Sequence, residues 1–297
     1  MTFLVKKLKA PLGAGQIQVG IASGEEVLIT EATSATTAVR NKVTKVAALA
    51  GNIVTPVIRS SEEETFTVAP ATGYESPGYG GPPLIAGMYY STTGGSCTLG
   101  FYATSPVNPN PFYLTAGHCA SASGTDTACT SASSCSTFGS NFGGFVGPGG
   151  DYGLIEDNHA TEWPPYPAFI DWSCCSGTLP VLGATEPELG ETVCHTGYAS
   201  AEHSVGTSCG TVEELDVPIS YAEEGISNIH VVRAGGAGLC AYFGDSGGPV
   251  FDPFTAYAKG IFDAITASRS EGGECGRPVY FTSARLAAAD MGVTIGT

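Results

Sequence analysis

Three short segments of this 297-residue chain carry residue types that could work together. "LTAGHCA" sets His118 beside Cys119, "GGDYGLI" sets Asp151 at the head of an apolar run, and "GDSGGPV" sets Ser246 among glycines. A serine hydroxyl is a poor nucleophile alone. It needs an imidazole to take its proton and a buried carboxylate to hold that imidazole in the right tautomer. Glycines around Ser246 let the backbone turn so that the N–H groups of Gly244 and Ser246 face one point. A developing oxyanion would be stabilised there, and losing one such donor typically lowers turnover roughly 10²–10³-fold. Each segment alone is an ordinary turn or loop; their joint presence points to nucleophilic acyl transfer.

Chain order narrows the scaffold. "GDSGG" also fits the G-x-S-x-G elbow of α/β-hydrolases, but those place the histidine after the serine. Here His118, His159, His195, His203 and His230 all precede Ser246. Subtilisin order needs an aspartate ahead of the histidine, and no Asp occurs before Asp126. The order His–Asp–Ser is left, and it is the chymotrypsin order.

The elements that must position these groups read as short strands. From about residue 85, apolar runs such as "CTLGFYA", "PFYLTA", "DYGLIE", "ETVCHTG", "CGTVEEL", "NIHVVRA", "KGIFDAI" and "PVYFTS" alternate with Gly, Ser and Pro clusters. Many short strands at this spacing predict an all-β fold of antiparallel barrels or a sandwich. The Ser/Gly-rich stretch 121–150 reads as loop. One helix is expected over "TSARLAAADMG", with Thr282 or Ser283 as cap and Gly292 beyond its end. Upstream, residues 16–23 and 26–30 read as paired strands, and "NIVTPVI" as another. Between them Val39, Val43, Val46 and Leu49 form a helical stripe that stops at Gly51. Residues 60–84 are charged, then Pro/Gly/Tyr-rich, and read as an exposed linker between a small β-β-α-β unit (1–59) and the main domain (85–297).

Composition sets the compartment and excludes some partners. Ten cysteines run from Cys97 to Cys275 in a chain that is only 13% charged, which reads as a disulfide framework formed outside the cytosol. The chain lacks the Cys-x-x-Cys spacing of a zinc site, so neither metal nor cofactor is expected. Residues 1–84 hold seven Lys/Arg against seven Glu, so residues 85–297 carry the whole net charge of −16. Such a surface repels phosphate backbones and argues against nucleic acid. No run of eighteen apolar residues occurs, so no helical membrane span is expected. Secretion is expected, although Lys6, Lys7 and Lys9 are not followed by the apolar core of a signal peptide.

"TAGHC" together with "GDSGGPV" resembles the chymotrypsin-like serine protease superfamily. The nearer likeness is to its bacterial streptogrisin and α-lytic protease branch. "LIAGMYYSTTGGSCTLGFYA" is similar to a mature start in that branch, "GETVCHTG" with "SCGTV" to its internal disulfide hairpin, and "CAYFGDSGG" to its nucleophile segment. The likeness covers roughly residues 84–297. It implies two six-stranded antiparallel β-barrels with a C-terminal helix, His118, Asp151 and Ser246 as a triad, and protein or peptide substrates for a monomeric enzyme. It also implies pairing of Cys97 with Cys119, Cys194 with Cys209 and Cys240 with Cys275. Residues 1–59 vaguely resemble the α+β pro-region that assists folding in these enzymes, so the chain's own N-terminal region is an expected partner. Cys129, Cys135, Cys174 and Cys175 have no counterpart. They either close locally, 129 on 135 and 174 on 175, or cross-link two insertions. The strain of a vicinal bridge favours crossing.

Two departures from the branch bear on function. An arginine usually follows the first hairpin cysteine and pairs with the aspartate before the nucleophile; here the position is His195. His195 is therefore expected to brace Asp245, within about 6 Å, through a group that exchanges its proton near neutral pH. The strand after the nucleophile usually offers a Ser-Gly-Gly trio to substrate backbone, and here it offers Asp263, Ala264 and Ile265. Ile265 would narrow the pocket mouth, and Asp263 could lie close to the triad. Gly238 takes the place of an acidic pocket floor, which predicts an apolar residue before the scissile bond rather than Lys or Arg. The alternatives are a protease-like binding protein without turnover and a carboxylester hydrolase.

Overall fold

The computed structural model describes residues 17–22, 26–31, 57–60, 65–66, 82–93, 95–120, 124–131, 134–171, 177–221, 226–266 and 275–296. The helix expected over 36–51 and the pair Cys174 and Cys175 lie outside them. Four short strands come first: β1 (Ile17–Ala22), β2 (Glu26–Glu31), β3 (Val57–Ser60) and β4 (Thr65–Phe66). The first half of the main domain holds β5 (Leu84–Ala86), β6 (Tyr89–Thr92), β7 (Gly95–Thr98), β8 (Tyr102–Thr104) and β9 (Phe112–Thr115). The four-residue helix α1 (Gly117–Ala120) follows, then β10 (Thr125–Ser131), β11 (Ser134–Gly147) and β12 (Gly150–Asp157). β13 (Pro165–Asp171) and β14 (Gly177–Pro180) lead into the second half. That half contains β15 (Thr192–His195), α2 (Tyr198–Glu202), β16 (Ser208–Tyr221), β17 (Ile226–Gly235), β18 (Pro249–Phe251), β19 (Ala258–Ile265) and β20 (Val279–Ser283). The chain ends in α3 (Ala284–Asp290) and β21 (Thr294–Ile295).

The second half closes on itself. Its strands run β15-β18-β19-β20-β17-β16, and β16 pairs back with β15, giving a six-stranded ring. Closure removes the free edges that would otherwise invite pairing with other chains. β19 is buried at all eight positions, as befits a strand covered on both faces. Around it Val193, Val212, Leu239, Phe262, Val279 and Phe281 form one apolar cluster. The first half forms an eight-stranded sheet, ordered β21-β8-β9-β12-β11-β10-β6-β7. Its count exceeds the expected six because the residues before Leu99 fold as a hairpin and the C-terminal β21 adds to β8. Leu99, Phe101, Phe112, Leu114, Phe138 and Ile155 fill this half's core.

The stretch read as loop between 121 and 150 is instead mostly the hairpin β10–β11. Its Ser/Gly composition disguises strands whose partners demand small residues. A Cβ at Gly139 would stand 2.3 Å from the Glu156 carbonyl oxygen across the sheet, so only glycine lets β12 approach. The hairpin also sets Cys129 opposite Cys135, and the two are bridged. The cross-linking expected for Cys129 and Cys135 is therefore wrong, because the strand register puts each beside the other. Three more bridges join Cys97–Cys119, Cys194–Cys209 and Cys240–Cys275. The C-terminal helix starts at Ser283, whose hydroxyl accepts from Leu286 N–H, and Gly292 follows its end with φ +67°. No helix among the described residues is long and apolar enough to cross a membrane.

Candidate active site

His118 sits on α1, a single turn that follows β9 and is tied to β7 by the Cys97–Cys119 bridge. The turn presses against β11 and β12 so closely that a Cβ on Gly117 would stand 2.1 Å from Phe145 O and 2.8 Å from Asp151 Oδ1. Glycine before the histidine is thus required by close approach. Asp151, the second residue of β12, is fully buried. Its Oδ2 accepts from His118 Nδ1 at 2.6 Å, and its Oδ1 accepts from the His118 backbone N–H at 2.9 Å. Two hydrogen bonds to one residue fix both the ring and its backbone. They also assign the Nδ1 proton, which makes Nε2 the basic nitrogen of the ring.

Two residues that sequence reasoning missed complete the setting of Asp151. Tyr221, from the end of β16, donates its hydroxyl to Asp151 Oδ2 at 2.6 Å and meets the His118 ring edge-on at 5.8 Å. Thr282, considered only as a helix cap, accepts from Asp151 N–H at 2.8 Å. Neither is marked by local pattern, since each reaches Asp151 across the junction between the two halves.

Ser246 comes from the second half and meets the first at the histidine's own turn. Its carbonyl accepts from Thr98 N–H at 2.8 Å and lies 3.8 Å from the Sγ of Cys119, the residue beside His118. The segment before it is shaped by Gly244 at φ +105° and Gly247 at φ +86°, left-handed values that suit glycine. Asp245 N–H bonds to Tyr242 O, Gly247 N–H to Phe262 O and Gly248 N–H to Asp245 O. Thr98 Oγ1 anchors the Gly244 carbonyl at 2.9 Å. Among the described residues the amides of Gly244 and Ser246 donate to no protein acceptor.

Asp245 braces this segment from beneath. It is fully buried, as is His195, whose Nε2 lies 3.3 Å from Asp245 Oδ2, well inside the expected range. Ser200 donates through its N–H at 3.0 Å and its hydroxyl at 2.5 Å, and Tyr242 N–H adds a bond at 2.9 Å. Burial alone would raise the Asp245 carboxyl, but His195, Ser200 and Tyr242 outweigh it and hold it below the usual carboxylate range. The imidazole itself stacks on Phe262 at 4.5 Å.

The remaining candidates divide. Asp263 is buried close to Asp151, its Oδ2 accepting from Thr282 Oγ1 at 2.8 Å. Ala264 and Ile265 are buried to 7% and 4% exposure. Ile265 fills the space over Gly276, where an added Cβ would stand 2.3 Å from Ile265 Cδ1. Gly276 in turn bridges to Ala241 on the segment leading to Ser246. Gly238 is exposed, on the turn that follows Gly236.

Comparison with known proteins bears on the fold that carries these residues. The chain is 31% identical over 186 residues to Streptogrisin-C and 30% identical over 215 residues to Streptogrisin-D, both of Streptomyces griseus. The matches take in 62% and 72% of this chain but only 35% and 48% of those proteins, so it spans less than half the length of either. Among solved structures, Thermobifida fusca Protease A matches with a TM-score of 0.57 and 25% identity, over 72% of this chain and 99% of that one. Nocardiopsis protease shares the fold at a TM-score of 0.56 and 22% identity, over 72% of this chain and all of its own. No protein-family model matches. In fold and in sequence the chain is thus similar to the bacterial streptogrisin branch of the chymotrypsin-like serine proteases.

Proposed function

We propose that the chain is a secreted serine endopeptidase that cleaves peptide bonds through an acyl-enzyme intermediate. Ser246 attacks the carbonyl carbon while His118 Nε2 takes its proton, and Asp151 stabilises the imidazolium. The carbonyl oxygen, now negative, is received by the Gly244 and Ser246 amides. His118 then returns the proton to the departing amine, and water repeats the sequence to release the acid. The observation that carries this reading is the doubly anchored His118–Asp151 pair on the turn that meets the Ser246 segment, where the Gly244 and Ser246 amides have no protein acceptor among the described residues. Two solved structures that the chain resembles, Thermobifida fusca Protease A and Nocardiopsis protease, bear protease names, which supports the same reading.

On this reading the residue before the scissile bond is apolar. Ala264 and Ile265 offer an uncharged wall, and Ile265 shortens the space available by packing over Gly276. The region 1–59 acts as a folding partner that is cut away in the linker near Pro83–Ile85. Pairing of β1 with β16, Ile21 opposite Leu215, supports a direct contact of that kind. The mature enzyme works as a monomer on protein or peptide substrates. Turnover of peptide amides bearing Ala, Val, Leu, Phe or Lys before the reporter group tests the proposal. Ala- and Val-type substrates should be hydrolysed fastest, Lys slowest, and Ser246→Ala should lose at least about 10⁴-fold. Hydrolysis of esters alone would make the chain an ester hydrolase, and absence of any turnover would make it a binding protein.

A further inference from the structure

A second fully buried carboxyl stands behind the triad, and the proposed mechanism does not use it. Asp263 occupies the bulge in β19, where the register with β20 shifts between Phe262 and Ala264. The bulge turns its side chain onto Thr282, whose single hydroxyl proton goes to Asp263 Oδ2 while its oxygen accepts from Asp151 N–H. A short chain therefore runs Asp151 N–H, Thr282 Oγ1, Asp263 Oδ2. The other oxygen of Asp263 has no hydrogen-bond partner among the described residues.

Charge decides the state of this group. Asp151 receives His118 and Tyr221 as donors and is equipped to be an anion. Asp263 receives only Thr282, through its hydroxyl and, more weakly, its backbone N–H. Two like charges this deep in the protein cannot both be ionised cheaply. The titratable groups on elements packed against β19 offer no relief. Arg285 of α3 is tied to Glu186, Asp290 of α3 accepts from Tyr152, and Lys259 of β19 itself is tied to Glu191. Tyr113 of β9 is buried and donates to Leu84 O, and the Tyr280 hydroxyl of β20 lies 3.4 Å from Thr266. Burial, followed by the nearby charge of Asp151, pushes Asp263 well above the usual carboxylate range.

Resting on the protease reading, we propose that Asp263 is a positioning residue held as a neutral acid. Through Thr282 it fixes the backbone of Asp151, and its neutrality leaves Asp151 as the one anion behind His118. The hydrogen bond requires only a neutral acceptor oxygen, which an amide also supplies.

The test compares Asp263→Ala, Asp263→Asn and wild type by turnover of a peptide amide across pH 4 to 10. NMR titration of the His118 ring runs in parallel and needs no turnover. Asp263→Ala should lower kcat about tenfold with KM little changed, and Asp263→Asn should restore most of that loss. The acid limb of the profile and the His118 titration should lie at the same pH in wild type and Asp263→Asn. A downward move of that titration by a unit or more in Asp263→Asn would mean that Asp263 was charged, overturning the proposal. So would wild-type kcat in Asp263→Ala. If wild type hydrolyses no amide while the titrations coincide, the protease reading fails and the assignment of a neutral Asp263 stands.

Discussion

Tyr221 shows how a single side chain far from any motif can shape the site. Its hydroxyl is one of three donors on Asp151, at 2.6 Å, in a buried setting where no water can replace it. A hydrogen bond to a charged partner contributes roughly 1.5–3 kcal/mol. Tyr221→Phe should therefore lower kcat on peptide amides about tenfold or more, with KM almost unchanged; an unaltered kcat would show the bond to be incidental. His118, Asp151 and Ser246 were legible as residues because chemistry requires those types beside glycines and small side chains. Tyr221 and Thr282 were not, because a tyrosine at a strand end and a threonine before a helix have ordinary uses. Their role depends on β16 and β20 crossing behind β12, which no spacing along the chain encodes. Asp263 lay between these cases: its identity broke an expected pattern, but only the bulge shows where the carboxyl points.

At the scale of elements, apolar patterning located most strands of residues 85–297 within a few positions. β9, β12, β15, β19 and β20 all fall inside runs such as "PFYLTA", "DYGLIE" and "KGIFDAI" or extend at most one residue beyond either end. β10 and β11 escaped because the signal is hydrophobic alternation, and Ser134–Gly147 replaces it with Ser and Gly that let neighbouring backbone approach. The helix α3 was read correctly from its cap and its trailing glycine. The brace under the nucleophile joins two elements, β15 through His195 and α2 through Ser200. An imidazole there makes one contact with Asp245 where a guanidinium fork could make two, and the Ser200 hydroxyl and amide supply further donors. The histidine was read from sequence; the serine was not, since α2 is five residues with no distinctive pattern.

For the whole molecule, the buried acids set the pH range of stability. Asp126 is fully buried, with no hydrogen-bond partner for either oxygen among the described residues, and burial pushes it up to about 7. Burial also pushes Asp157 up to about 6, and burial with the charge of Asp245 pushes Glu202 up to about 7. Asp263 moves the same way. Between pH 4 and 7 the folded state thus binds more protons at these sites than the unfolded chain, so stability falls as pH rises through that window. Asp245 acts oppositely: its contribution is present above the normal carboxylate pKa and is lost as pH falls below it. The net charge of −16 adds self-repulsion toward neutrality. Calorimetry should find the melting temperature several degrees higher at pH 5 than at pH 8. Equal values, or a higher one at pH 8, would show that these carboxyls are ionised in the folded protein.

The proposed catalysis depends on His118 from one half activating Ser246 from the other. Treatment of the folded protein with a fluorophosphonate, followed by peptide mapping, tests that most directly. One phosphonyl group should appear on Ser246, at a rate that His118→Ala lowers by about a thousandfold or more. No label on Ser246, or labelling at the same rate in His118→Ala, would contradict it.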